Sequence, residues 1–86
     1  MQRQTRSEVV RRLKSVEGHV RGVQKMVEER NVTYADIVQQ TNAIFSAIRS
    51  INTVLLKDFV EERAEKDGAS DEMIDDLIKA IDRVTK

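Results

Sequence analysis

Basic side chains carry most of the chemistry at the start of this sequence. Residues 1–27 hold Arg3, Arg6, Arg11, Arg12, Lys14, Arg21 and Lys25 against only Glu8 and Glu17. Cations at this density attract polyanions. Placed at about 100° per residue around a helix, Arg3, Arg11, Lys14, Arg21 and Lys25 fall within about 80° of one another. Such a stripe could follow a phosphate backbone, or it could be the solvated outer face of a helix, with Glu8, Glu17 and Glu28 close by. No aromatic residues interleave with it, which argues against stacking on single strands. No second short helix follows at helix-turn-helix spacing.

Other chemistries find little support. There is no cysteine, which removes thiol nucleophiles, iron–sulfur clusters, thiolate-held zinc and any disulfide. His19 is the one histidine, and it borders Val16, Val20 and Val23, where a hydrogen-bonded packing role is the simplest use. No serine or threonine has a base at triad-like spacing, and no glycine-rich loop could cradle phosphate. The sequence therefore reads as a non-enzyme. Residues 57–86 carry ten acidic groups against six basic ones, so the net charge of zero conceals a basic start and an acidic end.

Helices must position these groups. Proline is absent, glycine numbers three and 35 % of the 86 residues are charged, which predicts an all-α chain and one domain, residues 1–86. Val9, Leu13, Val16, Val20, Val23 and Val27 step by 4 and 3, a heptad seam on a helix spanning about residues 5–30. Gly18 and Gly22 lie off that seam, either for close approach of something outside the core or as tolerated glycines. Thr33 with Asp36 forms a capping-box pattern that starts a second helix, about residues 34–64. Its apolar face runs through Ile37, Val38, Ile44, Phe45, Ile48, Ile51, Val54, Leu55, Leu56, Phe59 and Val60, too broad for one neighbour to cover. Asn52 interrupts that face, as a register-setting polar residue does. Asn42, Ser46, Arg49, Ser50 and Thr53 form its polar edge. Residues 66–69 break the pattern, and Ser70 caps a third helix, about residues 71–85, with Ile74, Leu77, Ile78, Ile81 and Val84 on its stripe. So small a chain is marginal alone, and a partner chain is expected. No apolar run reaches membrane-span length and no signal-peptide core is evident, so a cytoplasmic protein is expected.

The run Arg11-Arg12-Leu13-Lys14-Ser15-Val16-Glu17-Gly18-His19-Val20-Arg21-Gly22-Val23 resembles the signature of the CsoR/RcnR/FrmR family of bacterial repressors. Met26, Glu28 and Glu29 continue the likeness, as do Asp36-Ile37-Val38, Gln40, Ala43-Ile44, Leu55-Leu56 and Ile74-Asp75-Asp76-Leu77. The resemblance implies an antiparallel four-helix bundle made by a homodimer, with dimers pairing into a tetramer. It implies a transcriptional repressor that releases double-stranded operator DNA when an inducer binds. Arg12, Lys14 and Arg49 fall at or beside its DNA-contacting positions; Arg11 and Arg21 join them from the basic stripe. In some members the second-helix arginine stands one residue later, where this chain has Ser50.

The positions matching the family's copper or nickel ligands are Tyr34, Phe59 and Arg63, with Thr33 or Ala35 in place of Tyr34 in a shifted register. None supplies a thiolate or imidazole, whereas Asp76 keeps the family's acidic position on the third helix. The resemblance thus implies a repressor with DNA contacts retained, no metal cofactor, and the usual inducer site lost. Tyr34 from a partner would pack on Phe59, and Arg63 would pair with Asp76. Two competing classes are a helical-bundle interaction protein without DNA affinity, assembling with a related sensor, and an all-α dimeric enzyme of the chorismate mutase type. The enzyme needs cations converging inside the bundle, whereas almost every basic residue here lies off the apolar faces.

Overall fold

Three helices follow one another in the computed structural model, which describes residues 1–68 and 70–85, without the side chains of residues 84 and 85. Helix α1 (Arg3–Glu28) runs antiparallel to α2 (Tyr34–Asp67), and among the described residues α3 (Asp71–Thr85) packs against α2 and not α1. Among the described residues there is no strand. Against the expected bounds, α1 is shifted two residues toward the N-terminus and α2 runs three residues longer. The reason for the latter is local: no glycine or proline interrupts residues 34–67, and the helix stops only where Gly68 takes a left-handed φ of 70°. The N–H of Gly68 bonds the Ala64 carbonyl there. At the other end the Thr33 hydroxyl accepts from Asp36 N at 3.1 Å, closing the expected cap. Ser70 Oγ does the same for α3, accepting from Met73 N at 3.2 Å.

The packing of α1 corrects the expected seam. Val9, Val16 and Val23 turn toward α2, but Leu13, Val20 and Val27 are exposed. The inward positions between the valines are Arg12, His19 and Met26, all half-buried. Facing them on α2 are Ile37, Gln40, Ile44, Ala47, Ile51, Val54 and Asp58, again stepping by 3 and 4. The polar members of this seam are satisfied within it. Arg12 donates through Nε and Nη2 to Glu8 Oε1, at 3.1 and 2.9 Å, and His19 Nε2 lies 2.7 Å from Gln40 Oε1.

A second seam, one residue on along each helix, lies open. It comprises Val10, Leu13, Val20 and Val27 of α1 with Val38, Phe45, Ile48, Leu56 and Phe59 of α2, and Asn52 lies among them. Between the helices this flank forms an apolar groove of about 640 Å³, with Phe45 65 % exposed at its wall. On α3, Ile74, Ile78 and Ile81 are half-buried while Leu77 is exposed; Ala69 and the Val84 side chain lie outside the described residues. The molecule measures 57 × 25 × 11 Å, so its least dimension is that of a single helix. Its radius of gyration, 17.1 Å, compares with about 12 Å for a compact chain of this length.

One buried charge ties the hairpin together. Asp58, 7 % exposed, accepts from Gln2 N at 3.2 Å and so serves the start of α1, where the Gln2 side chain makes no cap and the first turn has no acid. Beside it the N-terminal ammonium, 3.1 Å from Glu62, holds that exposed carboxyl below its usual range. Replacing Asp58 by alanine should lower stability by about 1–3 kcal/mol, the cost of leaving a partly buried N–H without its charged acceptor. Urea unfolding followed by circular dichroism at one fixed protein concentration measures it, and an unchanged midpoint refutes the role.

Candidate functional site

Two helices bring basic groups to one cleft. Arg12 of α1 and Arg49 and Lys57 of α2 line a depression of about 450 Å³ together with Ser46, Ser50, Thr53, Val54 and Asp82. The α2 members recur at one-turn intervals, which puts them on one flank of the helix. This flank lies opposite the open apolar seam. Asp82 comes from α3 and bonds Lys57, Oδ1 to Nζ, at 3.1 Å. The Ser50 hydroxyl donates to the Ser46 carbonyl and that of Thr53 to the Arg49 carbonyl, each at 3.1 Å. Arg12 reaches this cleft because its place in the inward seam points it at α2, and Glu8 braces it there.

The remaining DNA-contact candidates, Arg11, Lys14 and Arg21, lie on the outside of α1. Arg11 and Lys14 share a shallow depression with Arg6, Ser7 and Val10. Arg21 stands farther along, exposed and paired with Glu17 at 2.6 Å, an i, i+4 contact worth little at a surface. The five cations named from the sequence thus divide: Arg12 and Arg49 share the cleft, while Arg11, Lys14 and Arg21 share the convex outer side. Lys57 and Asp82 were not singled out from the sequence. The signal for Lys57 is its spacing, four residues after Thr53 and seven after Ser50 on the same polar edge; nothing in the sequence ties Asp82 to it.

Tyr34, Phe59, Arg63 and Asp76 are all exposed, Tyr34 by 91 % and Phe59 by 60 %. Phe59 and Arg63 stand one turn apart, but Tyr34 opens the same helix about 38 Å away at 1.5 Å per residue. A single chain therefore does not bring Tyr34 to Phe59. Among the described residues Arg63 and Asp76 form no ion pair. A copper or nickel ion does not fit this set: Cu(I) seeks thiolates and Ni(II) imidazole or thiolate, guanidinium has no lone pair to give, and phenyl offers no sigma donor. Among the described residues no three His, Cys, Asp or Glu side chains cluster as metal ligands would, and no helix is long and apolar enough to cross a membrane.

Comparison with known proteins gives a consistent picture. A family model described as metal-sensitive transcriptional repressor matches residues 5–83. The chain is similar to the copper-sensing transcriptional repressor CsoR of Bacillus subtilis (strain 168), 34 % identical over 85 residues, which covers 94 % of this chain and 82 % of that protein. It is similar also to proteins of the same description from Mycobacterium ulcerans (strain Agy99) and Mycobacterium tuberculosis (strain ATCC 25618 / H37Rv), each 33 % identical over 73 residues. Those alignments cover 81 % of this chain and 62 % and 60 % of the mycobacterial proteins. No solved structure matches. The donor chemistry at Tyr34, Phe59 and Arg63 predicts that equilibrium dialysis of the intact protein against Cu(I) or Ni(II), buffered near micromolar free metal, retains no stoichiometric ion. One ion retained per chain and lost in Tyr34→Phe would show that a ligand set exists there.

Proposed function

This chain belongs to the metal-sensitive transcriptional repressor family, a family of repressors rather than enzymes, and on that premise we propose that it represses transcription by binding double-stranded operator DNA, in the bacterial cytoplasm, without a thiolate-held metal as inducer. The observation that carries this is the convergence of Arg12 and Arg49, from different helices, on one cleft, with Arg11, Lys14 and Arg21 outside it. The Glu8-braced guanidinium of Arg12 and the exposed one of Arg49 suit charge-assisted contacts to phosphate oxygens, and the outer cations add long-range attraction.

The assembly follows from the open seam. Two hairpins laid antiparallel, apolar flank to apolar flank, make a four-helix bundle that covers Leu13, Val20, Phe45 and Ile48 and seats Asn52 in the interface. Each large side chain buried in this way contributes about 1.5–3 kcal/mol. The same pairing carries Tyr34 of one chain to Phe59 and Arg63 of the other, an aromatic contact in place of a metal bridge. Two such dimers make the tetramer, which doubles the DNA-contacting surface. With no thiolate or imidazole at these positions, the copper and nickel switch of the family is lost.

Two measurements test this. Sedimentation should find no compact species near 9.9 kDa at micromolar concentration, and Ile48→Glu should break the assembly; a folded monomer refutes it. DNA affinity should fall with salt at a log–log slope of about −4 or steeper, and Arg12→Ala or Lys14→Ala should each shallow the slope by about 1 without changing the oligomer. A flat slope would mark the stripe as solvated surface and favour the interaction-protein alternative.

A further inference from the structure

We propose that the cleft between α1, α2 and α3 is a binding site for a small polyvalent oxyanion, a molecule with two or more phosphate or carboxylate groups, and that its occupancy competes with DNA for Arg12 and Arg49. The site itself stands on geometry; the competition rests on the repressor function proposed above. The cleft, about 450 Å³ and within the range of small-molecule sites, is walled by three helices, whereas the depression holding Arg11 and Lys14 is shallower and lined by α1 alone. Its walls hold Arg12, Arg49 and Lys57 against Asp82, with Glu8 paired to Arg12, a local charge of about +1 that rises to about +2 once a ligand group displaces Asp82 from Lys57, so that one monovalent ion leaves it unbalanced.

The remaining lining refines the ligand. Because Ser50 directs its hydroxyl proton to the Ser46 carbonyl, its oxygen meets a ligand as an acceptor. A ligand bearing hydroxyl groups beside its anionic groups complements that edge, and Val54 offers a small apolar floor. Asp82 acts as a tethered occupant of the Lys57 subsite at 3.1 Å, with both side chains about one-third exposed. The ligand's second anionic group takes the place of that carboxylate. Since Asp82 belongs to α3, which among the described residues packs on α2, exchange of the Lys57 partner also removes one tie between these two helices.

The experiment uses the intact protein and two probes, inorganic pyrophosphate and citrate, in isothermal titration calorimetry at constant ionic strength set by sodium chloride. One site per chain is expected, and the two arms separate phosphate from carboxylate recognition. Lys57→Gln should weaken binding about tenfold, the loss of one charge-assisted hydrogen bond, whereas Asp82→Asn should tighten it several-fold by freeing Lys57. Circular dichroism establishes that each variant is folded; if Lys57→Gln is not, the parent and Asp82→Asn decide. Failure of both probes to bind beyond sodium chloride, or weaker binding by Asp82→Asn, overturns the proposal. In the DNA complex, measured by fluorescence anisotropy, the bound probe should displace DNA at concentrations where matched sodium chloride does not. Probes that bind with these variant effects to a protein lacking DNA affinity would remove the repressor function and leave the site. DNA bound with the expected salt slope and no probe bound would remove the site alone.

Discussion

Everything in this molecule depends on its being one helix thick. At 11 Å a layer cannot enclose side chains on both faces, and among the described residues no large side chain is fully buried. Little of the hydrophobic contribution that ordinarily offsets chain entropy therefore comes from within the chain. In the proposed assembly, the open valine, isoleucine and phenylalanine seam is the half of a core that a second layer completes.

That constraint sorts the two flanks of the hairpin. A shift of one residue along either helix turns about 100°, so the inward seam, the open apolar seam and the polar cleft occupy successive sectors of α2. Assembly through the apolar sector leaves the cleft of Arg12, Arg49 and Lys57 facing away from the interface. Association and anion recognition can thus be held by one helix without sharing a residue.

Helix number, order and N-terminal caps were legible because each rests on neighbours in sequence: Thr33 with Asp36, and Ser70 before an apolar stripe. The seam of α1 was legible only in part. Six apolar residues stepping by 4 and 3 satisfy either of two seams one residue apart, and hydrophobicity cannot choose between them. Partners a whole turn or a whole helix away make the choice: Glu8 for Arg12, Gln40 for His19. The cleft was hidden for a similar reason. Its α2 edge follows from spacing, but Asp82 joins Lys57 only because α3 folds back on α2. That Tyr34, Phe59 and Arg63 carry neither thiolate nor imidazole could be read directly, since it concerns which atoms are present.

The uninterrupted length of α2 has a mechanical consequence. Lys57 and Phe59 stand two residues apart on one rigid rod, facing different sides, and Ser46 and Phe45 are adjacent on the same rod. With no hinge between residues 34 and 67, whatever turns the rod at one side chain turns it at all of them. A rotation of about 10° about an axis some 5 Å from the side-chain tips moves each tip by roughly 1 Å, in opposite directions on opposite sides. In the proposed assembly, a torsion shaft of this kind would convert a change of grip between two chains into a change of aperture on the far side, with no part of the backbone having to bend.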